Sequence, residues 1–347
     1  MSIKSDLEAN ATTLQSGLDA LNANIALVGL PENPALELRP STCPSSITVN
    51  YYPYEIQYYD GFLYVSTIGA NAGGSGNAAL YKINAKTGAN VANYSAGTNA
   101  SGNGLLGFCI YGGKAYVAHN KFIAVTCQIT IIDLATMTLS GTVNLGAGSV
   151  RNCVTDGTYI YACTTDLKLK KFDIATQTVT NIYTYGVNTD PFRVAYFDGK
   201  IWTGLFGSAG NAVDVVDTNG TFITSISTGA GSQPHWFGQT ENRLFVSCYG
   251  THKAYDISNG TLGTSYNAPA ADYPHAPFPV MGKQLWLGGT TSTTSYIRVF
   301  DINTGALITS LAKGPNIPSM AFDGGNVWNI SANGNYIQRT VLDLVNE

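Results

Sequence analysis

Charged side chains are scarce in this sequence of 347 residues. Only 12% of the residues are Asp, Glu, Lys or Arg, and 18 basic against 22 acidic residues leave a net charge of −4. A nucleic-acid-binding protein needs a surplus of lysine and arginine to contact phosphates, so this class is excluded. A disordered acidic chain is excluded as well, because 44% of the residues are hydrophobic. Neutral polar and aromatic groups, among them 21 Tyr, must therefore build much of the surface.

Long apolar runs and paired cysteines are also missing. No stretch approaches about 18 uninterrupted apolar residues, so we expect no membrane span. The first residues show no short apolar segment behind a basic start, so we expect no export signal. The six cysteines form no C-x-x-C pair, which predicts buried free thiols rather than a zinc site or a disulfide framework. They are Cys43, Cys109, Cys127, Cys153, Cys163 and Cys248.

The motifs of several common chemistries are absent. The sequence has no P-loop, no dinucleotide-binding glycine motif between a strand and a helix, no G-x-S-x-G turn and no H-E-x-x-H. We therefore assign no catalytic residue, no metal ligand and no cofactor from motifs.

What the sequence does contain is a repeat. Seven short apolar segments each carry an aromatic residue near their end, and these residues lie 41 to 52 positions apart at Tyr64, Tyr116, Tyr161, Trp202, Phe245, Trp286 and Trp328. A second apolar segment follows each of them and ends in an amide or acidic residue at Asn84, Asp133, Asp173, Asp217, Asp256, Asp301 and Asp343. A period in the forties with several strands per unit is typical of β-propeller blades. The predicted fold is all-β, a seven-bladed propeller of four-stranded antiparallel blades.

These segments resemble the YVTN-type propeller repeat, in which a Gly-aromatic-Val strand precedes an apolar strand that ends in Asp and a Thr-Gly turn. The resemblance covers about residues 46 to 345 and implies the fold, while blades of this type serve many functions. We place the propeller at residues 45–347. The seventh repeat lacks one strand, and we predict that the segment SSITV at residues 45–49 supplies it and closes the ring.

The segment before the propeller has helical periodicity. Apolar residues with heptad spacing predict an α-helix over residues 1–30, and residues 31–44 form a proline-containing linker. A helix of this length needs a partner for its apolar stripe. The stripe packs on its own propeller in one interpretation, and it forms a self-associating stalk, preferably a trimer, in the other. The oligomerisation residues would be Leu7, Leu14, Leu18, Leu21, Ile25 and Val28.

The four histidines indicate one face of the predicted propeller. In an up-and-down blade, the loop between strands two and three and the connection into the next blade lie on the same side, which we call the top face. His119 and His252 follow second strands, whereas His235 and His275 stand where blades begin. All four should therefore lie on the top face.

A repeated proline marks where blades begin, for example at Pro53, Pro191 and Pro234, and the residues after it start the innermost strands. Aromatic groups converge there with a few polar and charged ones, which is typical of a ligand site around the central channel. The predicted ligand-binding residues are Tyr54, Glu55, Arg151, Phe192, Arg193, His235, Trp236, Tyr249, His252, Tyr273 and His275. A purely structural role for His and Arg, as hydrogen-bond partners of channel carbonyls, is the competing interpretation.

The organisation of the chain resembles that of a bacteriophage virion protein, because a short helix precedes a propeller poor in charge and rich in Asn, Thr, Gly and Tyr. This resemblance implies a non-enzymatic fibre, spike or decoration protein on the virion surface, with a cytoplasmic location as the alternative. Its partners would be further copies of itself, other virion proteins and a host-surface glycan or receptor. Weak contacts by each propeller would add through the shared stalk.

Two other functions stay open. Seven-bladed propellers of the streptogramin-lyase type resemble this chain in architecture and use a histidine-containing, metal-assisted site on one face. That resemblance implies a site at His235 and His275. A propeller that acts as a scaffold for protein partners is the third possibility.

Overall fold

The computed structural model describes residues 43–49, 52–69, 77–98, 103–121, 126–207, 210–268, 273–280, 283–290, 295–314 and 316–341. The predicted helix over residues 1–30, its oligomerisation residues and nearly all of the linker lie outside these ranges. The described residues contain no helix that is long and apolar enough to span a membrane.

The described residues form 28 strands in seven antiparallel sheets of four strands each. In chain order the strands are β1 Ser46–Thr48, β2 Pro53–Tyr59, β3 Phe62–Thr67, β4 Asn77–Asn84, β5 Asn90–Thr98, β6 Asn103–Tyr111, β7 Lys114–Lys121, β8 Thr126–Asp133, β9 Thr138–Ala147, β10 Val150–Thr155, β11 Tyr159–Thr164, β12 Lys168–Asp173, β13 Val179–Thr184, β14 Pro191–Phe197, β15 Lys200–Leu205, β16 Ala212–Asp217, β17 Phe222–Ser227, β18 Pro234–Gln239, β19 Leu244–Cys248, β20 Lys253–Asp256, β21 Ser265–Asn267, β22 Tyr273–Val280, β23 Gln284–Thr290, β24 Ser295–Asp301, β25 Leu307–Lys313, β26 Met320–Phe322, β27 Asn326–Ser331 and β28 Tyr336–Val341.

Six sheets each consist of four consecutive strands, from β2–β5 to β22–β25. The first strands of the blades, which we call the inner strands, contact one another in a closed ring of seven: β2, β6, β10, β14, β18, β22 and β26. This ring surrounds a central channel. The predicted seven-bladed propeller with four-stranded antiparallel blades is confirmed.

The aromatic segments of the repeat are the second strands of the blades. Strands β19 and β27 are buried along their whole length, because neighbouring blades cover both of their faces. Tyr64 and Leu80 of the first blade, for example, pack with Phe108 and Val117 of the second. Burying such a side chain fully stabilises the fold by roughly 1.5 to 3 kcal/mol. All six cysteines lie buried in this interior, as predicted.

In the first six blades, the amide or acidic residue at the end of the third strand caps a turn. The Oδ1 atom of Asp301 accepts hydrogen bonds from the backbone N–H groups of Asn303 and Thr304, and Asp133 does the same with Ala135 and Thr136. Backbone and hydroxyl hydrogen bonds hold the pKa of both carboxyl groups below its ordinary value. The second series of the repeat therefore reflects a turn requirement rather than catalysis.

The two ends of the described chain meet in the seventh blade. Strand β1 pairs antiparallel with β28 so that Ile47 lies opposite Ile337, and both belong to a core cluster that also contains Leu63 of the first blade. The predicted closure by residues 45–49 is confirmed. It completes the last sheet and thereby protects a strand edge.

Candidate ligand-binding site in the central channel

The inner strands carry a β-bulge near the end that lies at the top face. In β2, Pro53 pairs with Thr67 and Glu55 with Ser66, which leaves Tyr54 as the extra residue. The register shifts at the corresponding place in β6, β10, β14, β18 and β22. A bulge bends its strand and changes the direction of the side chains beside it. In β14 and β18 the extra residues are Phe192 and His235, two of the predicted site residues.

Nine of the eleven predicted ligand-binding residues contact one another through rings, guanidinium groups or an ion pair. We call them the channel cluster: Tyr54, Glu55, Arg151, Phe192, Arg193, His235, Trp236, Tyr249 and His275. Arg193, His235 and Trp236 are buried rather than exposed around an open mouth. The bulges explain this arrangement, because side chains from several blades converge on the channel at the same level.

Arg193 lies at the centre of the channel cluster. Its guanidinium carbon is 3.2 Å from the centre of the Trp236 ring and 5.1 Å from that of Tyr54. Its Nη1 donates a hydrogen bond to Glu55 Oε2 over 2.7 Å, and the two side chains are only 5% and 12% exposed. Glu55 Oε1 accepts a second hydrogen bond from Gln57 Nε2 at 2.9 Å. The Nε and Nη2 atoms of Arg193 are buried without a hydrogen-bond partner.

His235 and His275 form a pair of neutral imidazoles. Their ring centres are 4.8 Å apart. Burial, followed by the neighbouring His275 and Arg193, holds the pKa of His235 well below its ordinary value, although backbone groups of Ser247 and Gln233 act in the opposite direction. Burial, followed by Arg193, lowers the pKa of His275 to about 3. Both rings are therefore uncharged at neutral pH, and neither supplies a proton there.

Phe206 belongs to this site, although it is absent from the predicted residues. Its ring centre lies 5.0 Å from that of Phe192 and 5.6 Å from that of His235. It follows β15 directly, in the loop between the second and third strands of its blade. This position matches that of Tyr249 after β19, and the correspondence could have identified it from the repeat.

The other two predicted residues lie at the top end of the fifth and sixth blades. His252 lies in the turn after β19 with a φ of 53°, and Tyr273 is described only by its backbone, which pairs with Thr290 at the start of β22. His119 is in the second blade, where its Nδ1 lies 2.8 Å from Thr130 Oγ1. All four histidines lie at the top end of their blades, and the rings of His235 and His275 contact each other.

Below the channel cluster lies a cavity of about 390 Å³. Residues of all seven blades line it, mostly from the middle and C-terminal parts of the inner strands. It therefore extends toward the face opposite the top face, which we call the bottom face. Glu55, Arg193 and Trp236 belong to both the cluster and the cavity wall, and they form the end of the cavity nearest the top face.

Several polar residues of the cavity wall were not predicted, because their role depends on the neighbouring blade. Asn152 exchanges two hydrogen bonds with the backbone of Val194. Ser319 Oγ accepts one from the backbone N–H of Ile56. These groups connect the blades, whereas Gln239 is an exposed member of the wall. The apolar part of the wall includes Phe237, Phe278 and Met320.

The donor set for a metal ion is small in the part of the chain that the structure describes. No group of three or more His, Cys, Asp or Glu residues there is arranged to hold a metal ion. His235 and His275 would provide two nitrogen ligands, and the neighbouring carboxylate of Glu55 is already engaged by Arg193 and Gln57. Catalytic metal sites in proteins usually have at least three protein ligands. The described residues therefore do not fit the metal centre that a lyase resemblance implies.

No known protein family and no curated protein matches this sequence. Similar solved structures include the virginiamycin B lyase from Staphylococcus aureus, with 14% identity and a TM-score of 0.67 over 86% of this chain and 98% of that one. The β-propeller domain of Cps50 (Swd1) from Myceliophteria thermophila has 10% identity and a TM-score of 0.68 over 86% and 99%. The computationally designed protein Ika8 has 12% identity and a TM-score of 0.61 over 86% and 98%. At such identities the likeness establishes a β-propeller fold and no activity.

Proposed function

We propose that this chain is a non-enzymatic recognition protein whose propeller binds a polar ligand in the central channel. The observation that carries this proposal is that residues of the channel cluster also form one end of the cavity. Arg193 and Glu55 form a buried ion pair against Trp236 at the end of a cavity of about 390 Å³. Pockets of this size, apolar with a few convergent polar groups, are typical of small-molecule sites.

The protonation states of the cluster favour binding over acid–base chemistry. Burial keeps the pKa of His235 and His275 so low that both rings are neutral at pH 7. Efficient general acids and bases have pKa values near the working pH. The Glu55 carboxylate accepts hydrogen bonds from Arg193 and Gln57. Rings beside adaptable polar groups suit saccharides, which stack on aromatic faces and hydrogen-bond through their hydroxyl groups.

Binding of saccharides by the full chain, measured on a glycan array and then by calorimetry, tests this proposal. We expect Tyr249→Ala and Trp236→Phe to weaken binding at least ten-fold, because both side chains belong to the channel cluster. Tyr59→Ala is the matched control, since Tyr59 is 41% exposed at the end of β2 and outside the cluster. A wild-type chain that binds no saccharide, neutral or acidic, contradicts the proposal.

Enzymatic activity of the full chain would also overturn the recognition proposal. The lyase alternative predicts breakdown of virginiamycin B by the full chain, with loss of turnover after addition of EDTA and in His235→Ala. We expect no turnover. Product formation that EDTA abolishes would replace the recognition proposal with the lyase.

We propose further that residues 1–30 join three copies of the chain and display the propeller on a virion surface. Support comes from the heptad spacing and the low content of charge in the sequence. In the full chain, Leu14→Glu with Leu21→Glu should convert a trimer into a monomer in light scattering. Gln15→Glu with Asn22→Glu changes neighbouring polar positions and should leave the trimer intact. A monomeric wild-type protein contradicts the stalk.

A further inference from the structure

One edge of the Arg193 guanidinium group, formed by Nε and Nη2, makes no hydrogen bond to the protein. The residue is 4% exposed, and its Nη1 hydrogen bonds to Glu55, whereas its Nε and Nη2 are buried with no hydrogen-bond partner. Buried donors without partners are rare in proteins and each one costs stability. Arg193 is also part of the cavity wall. These two observations together indicate a ligand that supplies acceptor atoms from the cavity side.

The two unused donors define the chemistry of that ligand. The Nε and Nη2 hydrogens of arginine project in parallel from one edge of a rigid plane, and this spacing matches the two oxygens of a carboxylate. The guanidinium carbon lies 3.2 Å from the centre of the Trp236 ring, and both residues line the cavity.

The charges around Arg193 favour an anion. Among the described residues Glu55 is the carboxylate that pairs with Arg193, and a second guanidinium, that of Arg151, lies 4.2 Å from the centre of the Phe192 ring in the same cluster. His235 and His275 stay uncharged at neutral pH, so they contribute no charge to the channel cluster. The channel cluster therefore holds two guanidinium groups and one carboxylate. A bound anion would balance these charges.

We propose that the cavity binds a small carboxylic acid, in its anionic form and about one sugar ring in size, with its carboxylate on the Nε and Nη2 atoms of Arg193. The apolar side of the ligand would contact Phe237, Phe278 and Met320. A cavity of about 390 Å³ accommodates a ligand of that size. The inference rests on the proposed recognition function, because it names the ligand class of the same channel site.

Two matched pairs of probes test the inference on the full chain. D-glucuronate and D-glucose differ only in the carboxylate at carbon six, and calorimetry should give glucuronate the lower Kd by roughly ten- to a hundred-fold, as expected for hydrogen bonds to charged groups. Acetate and acetamide repeat the comparison without the sugar ring. Acetate, and not acetamide, should shift the Nε–H resonance of Arg193 in a heteronuclear NMR spectrum.

Variants of Arg193 distinguish the effect of its paired hydrogen-bond donors from the effect of its positive charge. Arg193→Lys keeps the charge and loses the paired donors, so it should abolish most of the preference for glucuronate over glucose. Arg298→Lys is the matched control, because Arg298 also stacks on a ring, that of Tyr296, and does not line the cavity. Equal affinity of the wild type for the two sugars overturns the carboxylate inference and leaves the recognition function standing. An Arg193 Nε–H resonance that responds to neither acid overturns the inference as well, even if Arg193→Lys fails to fold.

Discussion

The guanidinium carbon of Arg193 lies 3.2 Å from the centre of the Trp236 ring, although the two residues belong to the inner strands of different blades. The same guanidinium reaches across the channel to Glu55 of β2. One side chain thus connects three blades around the channel. The end of the cavity nearest the top face therefore depends on the closure of the whole ring of blades.

Breaking the ion pair should destabilise the propeller. Glu55→Gln removes the negative charge and leaves the buried guanidinium of Arg193 without a counter-ion. We expect the free energy of unfolding to fall by about 3 kcal/mol, the lower end of the cost of separating a buried pair. Urea denaturation of the full chain measures it. The control is Asp198→Asn, which removes the exposed pair with Lys200 and should have a much smaller effect. Equal losses in both variants would contradict a specific role for the buried pair.

Shortening the buried apolar side chain of the closing strand β1 should destabilise the propeller. Ile47 is 8% exposed and pairs with Ile337, so Ile47→Ala should lower the free energy of unfolding by about 2 to 4 kcal/mol. Thr48→Ala, at the next and exposed position of β1, should change it by less than about 0.5 kcal/mol. Thermal or urea denaturation compares the two. Similar small effects would mean that β1 contributes little to closure.

Gly107 allows Glu55 to approach the second blade. A Cβ atom at this position would lie 2.3 Å from Asn152 Cβ and 2.7 Å from Glu55 Oε2. We expect Gly107→Ala to cost about 1 to 3 kcal/mol of stability through overpacking, and to weaken ligand binding because Glu55 must move. Gly141→Ala in the same blade is the control, since its Cβ would meet only Ile131 Cδ1, at 3.9 Å. Unfolding curves that coincide for both variants would contradict this packing argument.

The buried histidines should make stability depend on pH. The pKa of His275 falls from 6.5 to about 3 because of burial and Arg193, so between these values the unfolded chain binds a proton that the folded chain does not. Stability is therefore complete above about pH 6.5 and falls as the pH decreases, by up to about 1.4 kcal/mol per pH unit for each such group. Urea denaturation at pH 7 and pH 5.5 should show this slope in the wild type. His275→Gln should reduce it, and an unchanged slope would contradict the assignment.

The propeller was predictable from the sequence because its signals are local. The second strands are largely buried, β27 along its whole length, so apolar and aromatic residues such as Trp328 recur in them. In the first six blades the third strand ends at a residue that caps a turn, which requires an oxygen such as that of Asn84 or Asp173. These requirements recur at a regular period, and they do not depend on distant contacts.

The candidate site was predictable only in part. Counting from Pro191 and Pro234 placed Arg193 and Trp236 on inner strands, which is the arrangement in the structure. The bulges at Phe192 and His235 directly follow the repeated proline, but the sequence does not reveal the change in side-chain direction that a bulge causes. The prediction therefore placed the site at the top face, whereas the cavity lies beneath the cluster, where residues such as Gln57 form its wall.

The amino-acid sequence alone establishes that few charges are present, that seven similar units follow one another, and that the first strand is needed in the last sheet. Hydrophobic periodicity and turn chemistry encode these properties within each repeat. Which of the few charged side chains contact one another depends on the folded ring. Glu55 and Arg193 are separated by more than a hundred residues, and their hydrogen bond exists because the closed ring brings β2 and β14 to the same channel.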